Sequence, residues 1–106
     1  MKVVFLAAAL VLCGSLAMAE SGASVESAFR LCALFDSTGL ASAPCEVSGW
    51  GSTVDVKIDM SAAEARKLCV QIADLARSEG WTFDPGWTLQ IYSPYSGENT
   101  IAYCGL

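Results

Sequence analysis

Cys32, Cys45, Cys69 and Cys104 constrain this chain more than any other feature. A fifth cysteine, Cys13, falls in an apolar leader and is expected to be removed with it. Four cysteines in a small exported chain indicate a framework of two disulfides, with three possible pairings. None is spaced C-x-x-C, so neither a thioredoxin-type redox site nor a zinc knuckle is indicated. The chain has no histidine, so a thiol nucleophile would lack its usual activating base. The four cysteines are therefore expected to be structural. A domain of this size buries a limited fraction of its surface, and a bridge closing a ~15-residue loop adds roughly 3 kcal/mol.

The leader runs from Met1 to Ala19. Lys2 supplies a positive start, Val3 to Leu12 are ten apolar residues, and Ala17-Met18-Ala19 places small residues where signal peptidase reads them. As a helix, ten residues reach only ~15 Å, about half a bilayer core. Leu12 before Cys13 is too bulky for lipoprotein processing. Cleavage is expected after Ala19, with export to the periplasm or the medium, where disulfides persist. The remaining 87 residues, 20–106, form one small domain with a net charge of −6. They hold no stretch of ~18 apolar residues to span a membrane and no basic stripe for nucleic acid.

Apolar periodicity then sets the elements. A helix is expected from an N-cap at Ser24 to Gly39, with Val25, Ala28, Phe29, Cys32 and Phe35 as its core stripe, widened by Leu31 and Leu34. Cys45 to Trp50 reads as a short strand, closed by the turn Gly49-Trp50-Gly51-Ser52. Val54, Val56, Ile58 and Met60 alternate with Thr53, Asp55, Lys57 and Asp59, the pattern of a strand with one buried face. Ser61-Ala62-Ala63-Glu64 is a capping box opening a second helix. Its stripe is Ala65, Leu68, Cys69, Ile72, Leu75 and Ala76, and Gly80 closes it. Strands over Gly86 to Tyr92 and Thr100 to Cys104 follow, separated by the loop from Ser93 to Gly97.

The order αββαββ predicts an α+β two-layer domain: a four-stranded, mostly antiparallel sheet with both helices on one face, stapled by disulfides. Leu31-Cys32 and Leu68-Cys69, each followed by a glycine and a Trp-containing hairpin, suggest an internal repeat. Each helical cysteine lies on a core stripe, so the preferred pairing is Cys32 with Cys45 and Cys69 with Cys104. Joining helix to helix and Cys45 to Cys104 is the alternative.

Two surfaces are candidates for function. If Cys104 faces the core, Ile101 and Tyr103 fall on the outer sheet face beside Tyr92, an aromatic patch of the kind found at binding surfaces. Trp50 and Tyr95 occupy Gly- and Ser-rich loops, the composition of adaptable binding tips. Trp50, Tyr92, Tyr95, Ile101 and Tyr103 thus form the expected interaction surface. Asp55 and Asp59 are ~13 Å apart on one strand, too far to share a metal or to form a catalytic dyad. Glu98 and Asn99 fit a solvated loop better than a calcium site. No phosphate loop, nucleophile elbow or metalloprotease helix occurs. The chain is therefore expected to be a non-catalytic binding protein without cofactor or metal. Its acidity favours a cationic protein partner, such as a basic hydrolase that it inhibits. The alternative is a self-assembling structural component of the cell envelope, pairing through its strand edges.

Overall fold

The computed structural model describes residues 22–106, so the expected leader, the expected cleavage site and Cys13 lie outside the described residues. Helix α1 covers residues 22–38. Strand β1 (Glu46–Ser48) and strand β2 (Thr53–Lys57) form the first hairpin. Helix α2 (Ala62–Ser78) is followed by strand β3 (Thr88–Tyr92) and strand β4 (Thr100–Gly105). The result is the expected α+β domain, with two helices on an open four-stranded sheet of order β1-β2-β3-β4.

The two hairpins are antiparallel, and β2 and β3 join them in parallel. A parallel pair needs a long crossover, which α2 supplies. This arrangement corrects the suggested repeat. The strands run up, down, down, up across the sheet, so no rotation superposes one helix-hairpin unit on the other while keeping both helices on one face.

The core lies between the helices and one sheet face. Val54, Val56, Ile58, Leu89, Ile91 and Ala102 point into it from the strands, as their period-two spacing requires. Helix α2 contributes Ala65, Cys69, Ala73 and Ala76, with Leu68 and Ile72 partly buried beside them. Its start is fixed as expected: the Ser61 hydroxyl accepts from the Glu64 amide at 3.2 Å and donates to the Glu64 carboxylate at 3.0 Å. At its end, Gly80 turns left-handed at φ +77, and the Trp81 and Gly80 amides donate to the Ala76 and Arg77 carbonyls.

Helix α1 departs from expectation in its rotation. Ala28, Leu31, Cys32 and Phe35 are buried, but Phe29 is 61 % exposed and Val25 also faces solvent. Nor is Ser24 the N-cap, since the helix is already formed at residue 22. Ser24 is buried, and its hydroxyl accepts from the Asp84 amide at 2.8 Å. That bond, with the Cys32–Cys45 bridge, turns the helix so that Leu31 and Phe35 enter the core and Phe29 is excluded.

The disulfides follow the preferred pairing. Cys32 bonds Cys45 across 13 residues, and Cys69 bonds Cys104 across 35. Each ties a helix to its own hairpin. No helix among the described residues is long and apolar enough to cross a membrane.

Candidate functional site

Among the described residues no helix covers the outer face of the sheet. Its side chains are those that alternate with the core set: Thr53, Asp55 and Lys57 on β2, and Thr88, Gln90 and Tyr92 on β3. Register then places them in rows. Glu46, Asp55, Gln90 and Tyr103 lie side by side across all four strands. Hydrogen bonds run along the strands: Thr53 Oγ1 donates to Asp55 Oδ2 at 3.3 Å, and the Tyr92 hydroxyl donates to Gln90 Oε1 at 2.9 Å.

One end of this face is hollow. A cavity of about 380 Å³ opens over Asp55 and Tyr92, bounded by Ala43 and Pro44 on one side and by Gly97 and Glu98 on the other. Glu46, Val56 and Lys57 complete its lining. The loop before β4 holds Gly97 and Glu98 in place. Ser96 Oγ accepts from the Ser93 amide and has its one proton to donate to the Asn99 carbonyl at 2.7 Å, with the Ser93 carbonyl at 3.1 Å as the alternative acceptor, and Gly97 takes φ +62.

The chemistry of the hollow is acidic and incompletely paired. Asp55 Oδ1 is buried without a hydrogen-bond partner, while Oδ2 takes the Thr53 hydroxyl. Gln90 stands next to Asp55, but its carbonyl is taken by Tyr92 and its amide reaches Thr88 at 3.4 Å. Burial raises the Asp55 carboxyl above its ordinary value; the Thr53 bond opposes this, and the neighbouring Glu46 charge adds to it. Burial likewise raises Tyr92, with the Asp55 and Glu98 charges adding to the shift. Two like charges opposite one another in a hairpin are destabilising, as is a buried acceptor left unpaired. An arrangement that carries both costs is a functional-site candidate.

A raised acid has a defined signature. Its folded form holds the proton more tightly than the unfolded chain, so Asp55 weakens the fold once it is ionised. Asp55→Asn should therefore melt at a higher temperature than the parent at pH 7. That gain should vanish at about pH 3, below the ordinary value of 3.8, where the carboxyl is protonated in both states. Thermal melts of both proteins at the two pH values check this.

The expected interaction surface does not assemble as one patch. Because β2 and β3 are parallel, the β1–β2 turn and the β3–β4 loop lie at opposite ends of the sheet. Trp50, fully exposed, and Tyr95, 83 % exposed, are thus separated by at least the length of β2, about 16 Å. Tyr92 lines the hollow, and Tyr103 is exposed at the far strand of the same face. Ile101 sits where the β3–β4 register shifts and is half-buried against the core instead of lying open beside Tyr103. Sequence reasoning did not single out Glu46, and it weighed Asp55 and Glu98 only as metal or catalytic carboxylates and set them aside, whereas all three line the hollow. Glu98 reaches the hollow, yet among the described residues no three His, Cys, Asp or Glu side chains are placed to hold a metal. No protein-family model, curated protein or solved structure matches this chain.

Proposed function

We propose that this chain is a small exported, non-catalytic binding protein that receives a cationic side chain of a partner protein in the hollow of its outer sheet face. The observation that carries the proposal is the buried, unpaired Asp55 Oδ1 beneath a cavity rimmed by Glu46 and Glu98. An arginine guanidinium supplies donors in a fixed fork and is the least strongly hydrated of the protein cations, so it suits an acceptor set of this kind. Seating it would satisfy Asp55 and relieve the Glu46–Asp55 repulsion together. The two disulfides fit an exported protein, and the chain's acidity would steer a basic partner toward it.

The test uses the disulfide-intact protein and short peptides. A tri-arginine peptide should shift the amide resonances of Asp55, Tyr92 and Glu98, and a tri-glutamate peptide should not. Asp55→Asn should weaken the tri-arginine interaction by about tenfold, the scale of one charge-assisted hydrogen bond. Equal binding by the parent and Asp55→Asn, or shifts scattered over the acidic surface, would refute the assignment.

A further inference from the structure

The two edges of the sheet are unlike. The β1 edge has three residues, carries Glu46, and follows Pro44. Beyond β1 that edge is covered, because Ala41 bridges Ile58 and the Ser42 amide donates to the Lys57 carbonyl at 2.8 Å. Short length, charge and proline are the usual protections of an edge. The β4 edge has six residues, no charge and no proline.

Ladder geometry shows which groups of β4 are open. The Leu106 amide donates to the Trp87 carbonyl at 2.9 Å, and the antiparallel register steps from there by two. Cys104 and Ala102 therefore bond β3, while Tyr103 and Gly105 turn their amides and carbonyls outward. On β3, the Thr88 amide donates to the Ser52 carbonyl on the β2 side, as the same alternation requires. Arg77 reaches the Gly105 carbonyl at 3.4 Å, long for a hydrogen bond and easily surrendered. Nothing among the described residues covers Tyr103, which is 72 % exposed.

Helix α2 flanks this edge on the core side, lying chiefly over β4 and tied to it by Cys69–Cys104. Arg66 lines a small cavity with Thr100 to Tyr103. One turn on is Val70, 54 % exposed, and one further turn on is Asp74. Arg66 makes no ion pair among the described residues, and Asp74 pairs only with Arg77 of its own helix.

This stripe is complementary to itself. Arg66 and Asp74 stand four residues either side of Val70, whose neighbour Cys69 is bonded to Cys104 of β4. We infer that a second copy of this chain pairs antiparallel with the β4 edge, about a two-fold axis at Tyr103. The pair is isologous, so it closes as a dimer, and the protected β1 edge gives no route to a filament. Tyr103 meets Tyr103 of the second copy as a cross-strand pair on the outer face. Val70 meets its counterpart across the seam, and each Arg66 faces the Asp74 of the other copy. The two sheets become one of eight strands. The inference does not depend on the cation site, which lies toward the opposite side of the same face.

Sedimentation equilibrium of the disulfide-intact protein tests it, at concentrations up to about 1 mM so that mass action favours association. A dimer mass is expected. Arg66→Asp should raise the dissociation constant about tenfold, since two symmetric attractions become repulsions. Combining Arg66→Asp with Asp74→Arg should restore it. Tyr103→Pro removes an outward amide and an exposed ring, neither used within the domain, and should give a folded monomer with unchanged far-UV dichroism. A monomer mass throughout, an oligomer beyond the dimer, or a dimer indifferent to the charge exchange would overturn the inference. If Tyr103→Pro fails to fold, the charge exchange still decides.

Discussion

Replacing Cys69 and Cys104 together by alanine should lower the unfolding free energy by about 4 kcal/mol. Loop-closure entropy sets the scale: a link across 35 residues restricts the unfolded chain more than one across 13, for which about 3 kcal/mol is expected. Context adds to the difference. Cys69 is buried in the core, so its replacement also leaves a small void. Cys45 is only half-buried, and its amide keeps a bond to Asp36 at 3.0 Å whether or not the bridge exists. Urea titrations of the two double variants should rank them in this order. The reverse order would mean that the unfolded chain is already compact around the longer link.

Phe35→Ala should cost about 3–5 kcal/mol, the usual range for emptying a buried aromatic site. Phe35 is 1 % exposed and packs within the cluster that joins α1 to the sheet. A small domain holds some 5–15 kcal/mol in all, so this one change consumes much of its margin. Phe29→Ala, six residues earlier on the same helix, should stay within about 0.5 kcal/mol because the ring is already in water. Chemical denaturation of the pair distinguishes the observed rotation of α1 from one that buries both rings. Equal losses would show that Phe29 belongs to the core.

These two phenylalanines also show where sequence reading stops. A stripe that includes Val25, Ala28, Phe29, Leu31, Leu34 and Phe35 covers more than half the helix circumference, so period alone leaves the rotation open. What fixes it is the Ser24 bond to Asp84, 60 residues away, which no local pattern reveals. Helix α2 was more legible, because its cap and closing glycine are as expected and its stripe departs only in that Leu75 is exposed while Ala73 takes a buried place. The disulfide pairing was legible too, since each cysteine's place on a stripe or at a strand end already pointed it at its partner. The parallel join of β2 to β3 was not, and with it went the expectation that Trp50 and Tyr95 act together.

The hollow was legible only in part. The four-residue turn Gly49 to Ser52 implies that Ser48 faces Thr53, and counting back two residues sets Glu46 against Asp55. Two acidic side chains were thus discoverable as a pair. Glu98 was not, because its approach depends on how the Ser93 to Asn99 loop folds over the sheet. That loop is held by the Ser96 hydroxyl, whose bonds depend on backbone geometry and not on composition.

The disulfides have one more effect, on how the chain responds to cutting. Each closes a covalent ring, one over residues 32–45 and the other over residues 69–104. A protease that opens the Tyr95 loop cuts inside a ring, and both fragments stay attached. The stretch between Cys45 and Cys69 belongs to neither ring, and the exposed turn around Trp50 lies within it. A single break there divides the molecule into two covalently separate pieces, held together only by the packing of the core and the remaining strand pairing. The most accessible aromatic of the domain therefore marks the point at which one peptide bond is all that keeps its halves on the same chain.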